Sequence, residues 1–109
     1  MTLEDLLEIR DELSEKSREL MIAKNSDYNA NGDPFGNLRA CECIGVPGAI
    51  GVLIRMLDKI KRLETIVTGK ELKVDDETLE DTIIDLMNYT VLLYAMESDD
   101  VGQACDTQN

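Results

Sequence analysis

A chain of 109 residues with 43% apolar side chains is one small globular domain, and an aromatic content of 4% without tryptophan makes its core aliphatic. A net charge of −12, from 23 acidic and 11 basic residues, excludes duplex nucleic acid and anionic membranes as partners, because both require a cationic surface. The absence of histidine excludes Ser-His-Asp and Cys-His catalysis and removes the commonest zinc ligand.

Thr2-Leu3-Glu4-Asp5 reads as a helix N-cap with acids in the first turn. Leu3, Leu6, Leu7, Leu13, Leu20 and Met21 recur at three-to-four spacing, which predicts a first helix over 3–23 with a charged, wet opposite face. Residues 24–37, KNSDYNANGDPFGN, carry turn-forming combinations and predict a long loop. Tyr28 and Phe35 lie in it, and loops of this length that hold aromatics are expected to bind something. Leu38, Cys41 and Ile44 predict a short helix. Cys41, Cys43 and Cys105 are an odd count, which points to unpaired thiols in a reducing cytoplasm. Cys41-x-Cys43 has no second ligand pair and reads as structural.

Pro47 opens a third helix over 47–68, and Gly69 closes it. Ile50, Leu53, Ile54, Leu57, Ile60, Leu63 and Val67 form its apolar face. After a turn over 69–76, Asp75 or Asp76 caps a last helix running to about 97, and residues 98–109 form a flexible tail. No apolar run reaches the ~18 residues that span a bilayer. The expected fold is therefore all-α: a small helical bundle of three long helices, one short helix and the 24–37 loop. It occupies a single domain, 1–97, that assembles as a homo-oligomer, because so short a chain buries only part of its surface.

Two polar stripes carry the candidate chemistry. On the third helix Arg55, Asp58, Lys59 and Arg62 share one line. On the last helix Glu77, Asp81, Asp85 and Asn88 do the same, inside a segment apolar around most of its circumference, from Ile83 to Met96. A helix apolar all round is buried all round. Its carboxylates then require cations, which the antiparallel neighbour supplies. In one reading the stripes lock together as a polar seam. In the other they line a pocket, where Asp58, Asp81 and Asp85 hold Mg²⁺, Arg55, Lys59 and Arg62 meet phosphate, and Tyr28 or Phe35 stacks on a base; the alternative for Phe35 is a plug in the bundle core.

NSDYNANGDPFGN, GVLIRMLDKIKRLETI and VDDETLEDTIIDLMNY together resemble the first of the nucleotide modification-associated domain families of phages and bacteria. The resemblance covers residues 24–96: Asp27-Tyr28, the loop Asp33-Pro34-Phe35-Gly36-Asn37, Arg55 to Arg62, and Asp76 to Tyr89. It is distantly similar to MazG-type all-α nucleotide pyrophosphohydrolases, but the third helix brings Arg55, Lys59 and Arg62 with only Asp58 where that pattern has paired glutamates. The resemblance implies a role in nucleotide metabolism without fixing a reaction.

The resulting expectation is a cytoplasmic phage-type protein that binds, and sequesters, a small nucleotide such as a cyclic oligonucleotide through Tyr28, Phe35, Asn37, Arg55, Lys59, Arg62, Asp81, Asp85 and Asn88. The alternatives are an Mg²⁺-dependent nucleotide hydrolase or modification enzyme that uses Asp58, Asp81 and Asp85, and a structural assembly subunit.

Overall fold

The structure is a computed structural model that describes residues 1–28, 32–33, 35–69 and 78–108; the side chains described are those of 1–25, 32–33, 35–69 and 78–99. The elements in chain order are α1 (Leu3–Tyr28), a 3-10 helix (Ala40–Ile44), α2 (Gly48–Val67) and α3 (Leu79–Gln108). Every element of the described residues is helical, as expected. None is long and apolar enough to cross a membrane.

Element ends differ from the sequence expectation in three places. α1 runs on through Lys24 to Tyr28, so the connection after it is shorter than 24–37. α3 runs to Gln108, past the expected end near 97. It also starts later than expected, at Leu79, with Thr78 as its cap; Asp75, Asp76 and Glu77 lie outside the described residues. The end of α2 matches. Thr68 closes it, and Gly69 follows at φ 76°, a left-handed conformation that costs least without a Cβ.

α3 is the centre of the molecule. α1 and α2 each pack on it, and among the described residues they do not pack on each other. α2 runs antiparallel to α3: Lys59 pairs with Asp85 near one end, and Gly48 meets Met96 at the other. The pairs between α1 and α3, Lys16 with Glu80 and Lys24 with Asp85, step in the same direction along both helices.

The core lies at the Gly48 end, where Val52, Leu92 and Met96 are buried with Leu38, and Met21, Phe35 and Met56 pack against them. Phe35 therefore belongs to the core margin, with the Arg39 guanidinium 5.8 Å from its ring centroid. Glycines let the 3-10 helix and α3 come this close to α2. A Cβ at Gly51 would lie 2.6 Å from Cys41 Sγ, and one at Gly48 would lie 3.3 Å from Met96 Sδ.

Gly51→Ala is accordingly expected to destabilise the protein. Overpacking costs about 1–3 kcal/mol, more than the ~1 kcal/mol that alanine gains as a helix former. In a Cys41→Ala background the clash is gone, and the same change should become stabilising in urea titrations.

The apolar face of α2 is the main surprise. Ile50, Leu53, Ile54, Leu57 and Ile60, expected in the core, are 39–62% exposed. Gly48, Val52, Met56 and Lys59 face α3 instead. The periodicity correctly marks an apolar stripe, but periodicity does not say which neighbour covers it.

Candidate functional site

The polar edge of α3 starts at its cap. The Thr78 N–H donates to Asp81 Oδ2 at 3.1 Å, and the Asp81 N–H donates to Thr78 Oγ1 at 3.1 Å. This reciprocal capping box satisfies two backbone donors at the helix start. Thr2 and Asp5 make the same box at the start of α1, from the same four residues, Thr-Leu-Glu-Asp.

In each box the threonine backbone N–H, followed by the threonine side chain, holds the carboxyl below its ordinary value of 3.8. A carboxyl whose pKa is lowered by folding contributes stability that is complete above 3.8 and is lost as pH falls through the lowered value. Helicity is thus expected to erode from the N-terminal turns of α1 and α3 below pH 3.8. Asp5→Asn and Asp81→Asn should each remove part of that pH dependence in acid titrations followed by circular dichroism.

One turn on, Asp85 sits between two lysines from different helices. Lys59 of α2 bonds Oδ2 at 2.9 Å, and Lys24 of α1 stands 3.8 Å from Oδ1. The carboxylate is 17% exposed, Lys59 20% and Lys24 39%. A further turn on, Asn88 is buried and accepts the Ser17 hydroxyl at 2.8 Å through Oδ1, while its Nδ2 has no acceptor among the described residues. The polar line therefore exists because both neighbouring helices reach it.

Beside this edge lies an open cavity of about 550 Å³ between α1 and α3. Leu20 and Ile84 form its apolar part. Lys16, Glu19 and Lys24 of α1 and Glu80, Asp81 and Asp85 of α3 supply its charged walls. Lys16 bonds Glu80 at 2.8 Å, which holds the ammonium above its ordinary 10.5. The volume is within the ~300–1,000 Å³ of small-molecule sites.

Of the expected site residues, the structure brings Lys59, Asp85, Asp81 and Asn88 to one edge. Arg62 is half-buried on the α2 face beside Lys59, whereas Arg55 and Asp58 are exposed. Asn37 is exposed in the turn before the 3-10 helix, and Phe35 is taken up by the core. Tyr28 ends α1, and its side chain lies outside the described residues. Among the described residues no three acids or cysteines converge as metal ligands, so Asp58, Asp81 and Asp85 are not gathered into one cage.

Lys16, Ser17 and Lys24 were missing from the sequence reading, which treated the polar face of α1 as wet. Their spacing with Leu13 and Leu20 puts them on the face turned to α3, and that was the available signal. No known family, curated protein or solved structure matches the chain.

Proposed function

We propose that the protein binds a small nucleotide along the polar edge of α3, on the α1 side of Asp85. Lys24 carries this reading. Its ammonium stands at the cavity, 3.8 Å from a carboxylate that Lys59 already bonds at 2.9 Å, too far for a hydrogen bond of its own. An ammonium presents three donors. A phosphate oxygen would take them in a charge-assisted bond, with Lys59 and Arg62 adding positive potential behind Asp85. The carboxylates of Glu19 and Glu80 would accept hydrogen bonds from the ligand's hydroxyl and amino groups.

The resemblance to the nucleotide modification-associated family supports the same ligand class. It fixes no reaction; sequestration rests on the cationic side chains and the lack of an acidic metal cage among the described residues. Binding of this kind asks for no metal cage. Mg²⁺-dependent cleavage would need one assembled with the ligand's own phosphates.

A thermal-shift panel of nucleoside mono-, di- and triphosphates and cyclic mono- and oligonucleotides, with and without Mg²⁺, tests the reading. A ligand at a hundred times its Kd adds ~2.7 kcal/mol of stability. Lys24→Met should abolish the shift and leave helicity intact. Mass spectrometry of the ligand released by denaturation then separates sequestration (intact ligand) from hydrolysis (cleaved ligand). Absence of any shift across the panel would sink the proposal.

A further inference from the structure

The exposed apolar residues of α1 and α2 follow one pattern. Leu3, Leu6, Arg10 and the half-buried Leu13 are spaced three, four and three residues apart along α1. Leu57, Ile60, Glu64 and Val67 have the same spacing along α2. Each stripe is a short heptad seam with one charge at its third position, positive on α1 and negative on α2. Neither is covered: Leu3 is 70% exposed, Leu6 54%, Leu57 62% and Val67 77%. Within one chain the stripes do not cover each other, because among the described residues α1 and α2 do not pack on each other.

The charges around the seams are opposite too. From Leu3 to Glu15 the chain carries Glu4, Asp5, Glu8, Asp11, Glu12 and Glu15 against Arg10 alone. From Leu57 to Val67 it carries Lys59, Lys61 and Arg62 against Asp58 and Glu64. Pairing of α1 with α1 or α2 with α2 sets like charges together, whereas α1 against α2 sets opposite ones.

We propose that a second copy of this chain covers both stripes: α1 of each subunit lies parallel along α2 of the other, and Arg10 meets Glu64 of the partner subunit. α1 and α2 run in opposite senses within a chain, so a two-fold axis perpendicular to the helices makes each parallel to its counterpart in the other copy. Both pairs then form in one closed, isologous dimer. The apolar cavity of about 390 Å³ between Leu6, Leu7, Leu13 and Met87 receives an aliphatic side chain of the partner's α2. This proposal is independent of nucleotide binding.

Light scattering and sedimentation equilibrium on the full chain, without nucleotide, test it. The wild type should be a dimer at micromolar concentration. Leu6→Glu and Leu57→Glu, both at exposed sites, should each give a helical monomer, and mixing the two should restore part of the dimer through the one intact α1–α2 pair. Arg10→Glu and Glu64→Arg should each raise the dimer Kd about tenfold or more, and the double variant should return it close to wild type. A monomeric wild type overturns the proposal. So does a dimer that survives either leucine variant, or a charge-swapped double no tighter than the single variants.

Discussion

Met96→Ala is expected to remove about 3 kcal/mol of stability and to lower Tm by roughly 10–25 °C. Met96 is fully buried, packed with Leu38, Val52 and Leu92, and its sulfur lies where a Cβ on Gly48 would come within 3.3 Å. Truncation loses the transfer energy of the side chain and leaves a cavity at the junction of α2, α3 and the 3-10 helix, where the small core has little material to refill it. A domain holds only about 5–15 kcal/mol in total, so this one change consumes much of it. Met96→Leu conserves volume and should cost less than about 1.5 kcal/mol. Urea titration of the two variants checks the ordering, and equal effects would mean that Met96 is not at the centre of the core.

Asp85→Ala is the second large effect. It leaves Lys59, at 20% exposure, without the carboxylate it bonds at 2.9 Å, and Lys24 without the carboxylate 3.8 Å away. Stability should fall by about 2 kcal/mol, since a hydrogen bond between charged groups contributes about 1.5–3 kcal/mol and partial exposure moderates the loss. The double variant Lys59→Met/Asp85→Leu replaces the pair with apolar groups and should recover most of the stability. That variant also separates seam from site. If Asp85 and Lys59 serve packing alone, a ligand-induced thermal shift survives in it; if they frame the phosphate, the shift disappears from a well-folded protein. Chemical denaturation gives the first quantity and the thermal-shift panel gives the second.

Much of the fold was legible because its signals are local. The Thr2 cap, the stop at Gly69, the opening near Pro47 and the helical repeats depend on nearest neighbours along the chain. The cap of α3 was also legible in principle, since Thr78-Leu79-Glu80-Asp81 repeats Thr2-Leu3-Glu4-Asp5, but Asp75 and Asp76 are equally good cap residues just upstream. The orientation of α2 was not legible. Its strongest apolar stripe, from Ile50 to Ile60, faces away from α3, and the face that packs holds Gly48 and Lys59, residues that carry no hydrophobic signal. The candidate site was half legible for the same reason. A pairing of Asp81 and Asp85 with Arg55, Lys59 or Arg62 was legible across neighbouring helices, and Lys59 with Asp85 realises it. The contribution of α1 depends on a crossing between segments some seventy residues apart, as in the bond of Ser17 to Asn88.

Among the described residues α1 contributes Met21 to the margin of the buried cluster; beyond that, Leu20 beside Ile84 and a few polar bonds, led by Lys16–Glu80 and Ser17–Asn88, fasten it to α3. In an isolated chain it should therefore peel away as a unit while α2, α3 and the 3-10 helix stay folded around Val52 and Met96. Amide protons of α1 would exchange with solvent deuterium well before those of α2. Detachment would strip Lys16 and Lys24 from the cavity wall, so anything held there would act as a latch that slows the hinge.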